Sequence, residues 1–122
     1  MKILLNLSGH PVPEGTKEAF GKVVSVPVPN VDLGSGTAVV KAAKALVTSA
    51  LETEAKEAIL RGEVAVLLPG ASVLAGAVLA VLVGVSGIFP KLYWAVRTEG
   101  GFVLSEELDL SGLRLEGRSF RG

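Results

Sequence analysis

The residues of this chain best suited to chemistry fall in two short loops. Ser8-Gly9-His10-Pro11 follows one apolar run, and Pro69-Gly70-Ala71-Ser72 follows another. His10 is the one histidine, and an imidazole there can donate a hydrogen bond or exchange a proton near neutral pH. The second loop opens into a helical pattern, so its free N–H groups and the positive end of the helix dipole suit an anion such as phosphate. Gly70 lets a ligand come close to the backbone. The same residues also suit a plain βα connection, where glycine turns the chain and serine caps a helix. A lone loop histidine is equally at home in solvent.

Other chemistries find little support. Ser8 and Ser72 have no His–Asp pair placed for a nucleophilic triad. The chain carries neither a Walker lysine pattern nor G-x-G-x-x-G, and Gly34-Ser35-Gly36 is too short to count. Cysteine is absent, which removes disulfides and thiolate metal sites, and a single histidine cannot build a zinc site. No metal and no cofactor are expected. Lys91, Tyr93, Trp94 and Arg97 lie on one strand pattern: one ring belongs in the core, the other offers a stacking surface, and either cation suits phosphate. If the chain is an enzyme, His10, Ser72 and Lys91 are the catalytic candidates.

The elements that must position these loops follow from periodicity. Apolar runs at Lys2–Leu7, Val23–Val28 and Val64–Leu68 read as strands, the second ending at a sheet edge because of Pro27 and Pro29. A short helix is expected at Glu14–Phe20. A longer amphipathic one has Val39, Ala43, Leu46, Val47 and Ala50 on one face. A further piece spans Thr53–Arg61 and stops at Gly62. Val73–Val85 is helical with Ser72 as its N-cap, and is apolar nearly all round. One of its faces would lie bare in so small a domain, which predicts a homodimer. Lys91–Arg97 and Phe102–Leu110 form a closing hairpin around Glu99-Gly100-Gly101.

The fold class is therefore α/β: a single Rossmann-like domain over residues 1–110, with a mostly parallel sheet of four to five strands, a C-terminal β-hairpin and helices on both faces. Residues 111–122, with Arg114, Arg118 and Arg121 against Glu116, read as a basic, flexible tail. Twelve basic and twelve acidic residues cancel, so no global field recruits duplex nucleic acid or an anionic membrane. Val64–Pro90 lacks charge, but Pro69-Gly70 breaks it too early for a membrane span. The first apolar run is too brief for a signal peptide, so a cytoplasmic location is expected.

Four segments carry a family resemblance. Asn6-Leu7-Ser8-Gly9-His10-Pro11 resembles the N-F-[ST]-H-P opening of the small CRISPR-associated Csx-fifteen proteins, with Gly9 inserted between Ser8 and His10. Val26-Pro27-Val28 is similar to their second-strand ending, Leu67-Leu68-Pro69-Gly70-Ala71-Ser72 to their P-G-x-S turn, and Gly87-Ile88-Phe89-Pro90 to their G-x-F-P. The matches run in order from Asn6 to Pro90. The family accompanies type III CRISPR systems, which signal with cyclic oligoadenylates. The resemblance implies a homodimer that binds cyclic tetra-adenylate at the strand ends and sequesters it. The resemblance makes the loops Ser8-Gly9-His10 and Pro69-Gly70-Ala71-Ser72 the contacts, and Pro11 and Arg97 complete the expected ligand-binding residues. A metal-independent ring nuclease and a structural dimer with a protein partner are the alternatives.

Overall fold

The computed structural model describes residues 2–122. Four short strands run parallel: β1 (Ile3–Asn6), β2 (Lys22–Ser25), β3 (Ala65–Leu67) and β4 (Lys91–Tyr93). A two-residue strand β7 (Leu108–Asp109) adds antiparallel to β4, giving the order β2-β1-β3-β4-β7. Between β4 and β7 the chain makes a separate hairpin, β5 (Ala95–Thr98) with β6 (Gly101–Leu104). The expected α/β class, the mostly parallel sheet and the hairpin are all present.

Why the helices fall where they do follows from the direction of each crossover. The chain steps from β1 to β2 on one side, then from β2 over β1 to β3, and on to β4 in the other direction. Right-handed crossovers then place the first connection on one face and the later ones on the opposite face. The first face receives only the one-turn helix α1 (Thr16–Ala19), whose C-cap Phe20 packs with Leu4, Ala65 and Leu67. The other face receives α2 (Gly36–Leu51), α3 (Lys56–Arg61) and α4 (Ser72–Ser86). There Leu5, Leu7, Val24, Val64 and Val66 from the sheet meet Val39, Leu46 and Val47 of α2, Ile59 of α3 and Leu74, Val78 and Leu82 of α4. Helices thus stand on both faces, very unequally. No helix is long and apolar enough to cross a membrane.

Several boundaries shift for local reasons. Ser35 caps α2, its side chain accepting from the Ala38 N–H at 3.1 Å. Thr53 does not start a helix: its hydroxyl turns back to the Ala50 carbonyl, and α3 begins only at Lys56. The expected strands Lys91–Arg97 and Phe102–Leu110 are each broken. Leu92 pairs with Leu108 and Ala95 with Leu104, so two residues oppose three, which is a β-bulge. The bulge is held by mutual bonds between Trp94 and Ser105, the Trp94 N–H giving to Ser105 Oγ at 2.9 Å.

The C-terminal segment is not an irregular tail. Asp109 caps α5 (Leu110–Arg118), accepting from the Gly112 N–H at 3.1 Å, and a 3-10 turn continues over Ser119–Arg121. Neither piece buries a residue. The cue was an N-cap aspartate at the end of a strand pattern, inside what reads as one continuous β run.

Candidate functional site

In an open parallel sheet the ligand crevice lies beyond the carboxyl ends of the strands, where the strand order reverses. Here the reversal falls between β1 and β3, the neighbours from which the connections depart in opposite directions. The loops after these two strands are the two singled out by residue type.

The first loop is built by Asn6, the last residue of β1 and only 3% exposed. Its Nδ2 donates to the His10 carbonyl at 2.8 Å and to Ser25 Oγ on β2 at 3.2 Å. Its Oδ1 accepts from the Ser8 N–H at 3.1 Å and from the Ser8 hydroxyl at 2.6 Å. Ser8 Oγ in turn accepts from the His10 N–H at 3.2 Å. Both arms of one buried amide therefore fix a five-residue turn, with Gly9 at φ 80°, where a side chain would be strained. Ser8 uses its hydroxyl proton to hold the loop, so it is no nucleophile in this arrangement.

Ser8, His10 and Pro11 then face Pro69 and Gly70 of the second loop across a hollow of about 430 Å³, whose third wall is Tyr93 and Trp94. A second hollow of about 630 Å³ adjoins it, between Pro11–Glu14 and the hairpin residues Gly100 and Phe102, with His10, Pro11, Pro13 and Ala95 common to both. Gly9 lines a third depression beside Asn6, Ser25 and Pro27, so the Gly9–Pro11 turn forms a ridge between two hollows. Tyr93 leans edge-on against Phe20, ring centroids 5.2 Å apart, and its hydroxyl donates to Glu107 at 3.1 Å. Burial first, then the adjacent Glu107 carboxylate, push its phenol above the ordinary value. Trp94 is 47% exposed and offers a free ring surface.

The helix entering from the second loop is open at its amino end. Ala71 occupies the N-cap position of α4 and has no side chain that could satisfy the first N–H groups. Ser72, expected as the cap, is instead the first helical residue and makes no cap bond. The uncovered N–H groups of this turn lie at the carboxyl end of β3, next to Pro69 and Gly70.

Four expected site residues fall elsewhere, Ser72 among them, since it lines none of these hollows. Lys91 stands at the amino end of β4, away from the cleft, with Nζ 3.7 Å from Asp109 and 3.9 Å from Glu107. It is paired at the sheet edge and lines neither of the two hollows that meet at His10. Arg97 lies on the hairpin over the Phe102 ring, 5.9 Å from its centroid, and Ala71 packs toward the core. Neither lines the two hollows that meet at His10. Sequence reasoning gives Asn6 no organising role, whereas the expected split of the two rings is seen, Tyr93 packing against the Phe20 cluster and Trp94 staying exposed. Asn6 was legible only as part of a motif, since nothing in its type announces four simultaneous bonds. Among the described residues no group of histidine and carboxylate side chains could hold a metal ion. The chain matches no protein-family model, no curated protein and no solved structure.

Proposed function

We propose that the protein binds a cyclic oligoadenylate, cyclic tetra-adenylate first, across a homodimer and sequesters it, damping type III CRISPR signalling. The observation that carries this reading is the cleft between the β1 and β3 loops. It combines an exposed indole, which can stack a base, with the uncapped N-terminus of α4, which favours a phosphate. Adenine rings and phosphodiesters need those two kinds of contact. The class of ligand rests on the ordered motif resemblance to the Csx-fifteen proteins.

The dimer is supported by size and by surface. Each of the two adjoining hollows, about 430 and 630 Å³, is on the scale of one small ligand, which favours a ring shared between two clefts. On α4 the outward positions are Val73, Gly76, Ala80 and Gly84, small and uncharged, so a second α4 can approach closely. Binding without fast cleavage is favoured because the Ser8 proton is committed to Asn6 and Lys91 is tied to the sheet edge.

The test is incubation of the protein with labelled cyclic tetra-adenylate, following retention on a native gel and products by chromatography. Retention of intact ring at one ring per two chains is the expected result. Conversion to linear fragments would make the protein a ring nuclease. No retention of this or other cyclic oligoadenylates at micromolar protein would sink the reading.

A further inference from the structure

A second charged surface lies at the other end of the sheet. Because β7 runs antiparallel to β4, with Asp109 opposite Lys91, α5 leaves from the amino end of β4, whereas the cleft lies beyond its carboxyl end. Along α5 and its 3-10 extension, Arg114, Arg118 and Arg121 line one hollow of about 380 Å³ with Gly117 as its floor. A Cβ added at Gly117 would meet nothing, so the floor is open. Among the described residues, none of these guanidinium groups is in an ion pair.

Helix electrostatics explains part of this pattern only. Arg118 and Arg121 at the carboxyl end gain from the helix dipole. Arg114, a turn earlier, gains nothing there and stands four residues from another cation, which is unfavourable in a helix. The composition is also skewed: three of the five arginines of the whole chain fall in its last nine residues, and no lysine does. Arginine differs from lysine in presenting a planar fork that grips phosphate oxygens in pairs. Phe120, next to Arg121 in the chain, is 88% exposed. A row of guanidinium groups flanked by a bare ring is the combination that holds a single strand, cations along the backbone and an aromatic face under a base.

We infer that the α5 arginine face is a binding site for a single-stranded nucleic acid, separate from the cleft. It carries three cations on one narrow face of a chain with no net charge, which fits a strand better than a duplex.

The experiment is fluorescence anisotropy of the full chain with a labelled single-stranded oligouridylate at several salt concentrations. The wild type is expected to bind at low salt. The triple variant R114A/R118A/R121A should bind at least tenfold more weakly, with a log–log salt slope smaller by about 2, as loss of three phosphate contacts implies. F120A should weaken binding a few-fold, and G70L, which alters the cleft, should not change it. Should the triple alanine variant lose helix by circular dichroism, R114K/R118K/R121K keeps the charge and is expected to bind several-fold more weakly than wild type. Any of three results overturns the inference: no binding by wild type at low salt, equal binding by the arginine variants, or unchanged binding by F120A with inorganic polyphosphate competing as well as the strand. Arginine-dependent sedimentation with anionic vesicles, without binding of the oligonucleotide, would assign the face to a membrane surface and overturn it too.

Discussion

The Asn6 side chain donates to the main-chain carbonyl of His10 at 2.8 Å, so the last residue of a buried strand sets the position of the exposed histidine in the cleft. The same amide oxygen takes the Ser8 hydroxyl and N–H. Asn6→Ala leaves the His10 carbonyl and the Ser8 groups without that partner, at a cost of about 1–3 kcal/mol. Asn6→Asp keeps the acceptor and loses both donated bonds. Both variants should lower the thermal midpoint and weaken ring binding at least tenfold. Retained binding in Asn6→Asp would show that the loop does not need this tether.

Gly70 separates space from conformation. A Cβ built there meets nothing within 4 Å, and its φ is not in the left-handed region. Gly70→Ala should therefore fold with an unchanged thermal midpoint, while Gly70→Leu keeps the fold and fills the wall of the 430 Å³ hollow. Loss of ring binding in Gly70→Leu, measured beside an unaltered circular dichroism spectrum, is the expected outcome. Undiminished binding would place the ligand elsewhere.

Both of those loops could be chosen from the sequence, and the reason is physical. Gly, Pro and Ser between an apolar run and a helical period mark a βα turn whatever the order of the strands. Which turns meet is decided by the crossover directions, and those follow from the handedness of connections once the order β2-β1-β3-β4 is known. What stayed hidden was the edge. Lys91–Leu110 reads as one hairpin because a bulge leaves no mark in apolar periodicity. The extra residue opposite Tyr93–Trp94 comes from Ser105-Glu106-Glu107, a polar stretch that looks like any exposed strand. For the same reason Lys91 looked free to reach a ligand, when the register brings Asp109 opposite it. The α5 helix leaves little trace in the sequence, because three arginines and three glycines in a dozen residues resemble an unfolded end.

Gly62 closes α3 in the left-handed region at φ 69°, and a Cβ there would run into the Ile88 side chain. Gly62→Ala must accept the left-handed strain, about 1–2 kcal/mol, and must displace Ile88 as well. Its thermal midpoint should fall by several degrees, whereas Gly36→Ala, exposed in the first turn of α2 with nothing near its Cβ, should hold or rise. Equal midpoints for the two variants would mean that the α3–β3 turn relaxes freely.

The Asp109 cap makes α5 sensitive to acid. The Gly112 N–H first, and Lys91 further off, hold the Asp109 carboxyl below its ordinary value. A depressed carboxyl contributes stability above its unfolded pKa, and that contribution fades as pH falls through the lower, folded value. Helix α5 should therefore be fully formed at neutral pH and begin to melt only below about pH 4, near the ordinary aspartate pKa. Asp109→Asn keeps a good N-cap without a titrating charge, so its α5 amide signals should stay constant through that acid range. Asp109→Ala removes the cap at every pH and should fray the helix already at neutrality. If the wild type and Asp109→Asn lose these signals together on acidification, the cap does not control the helix.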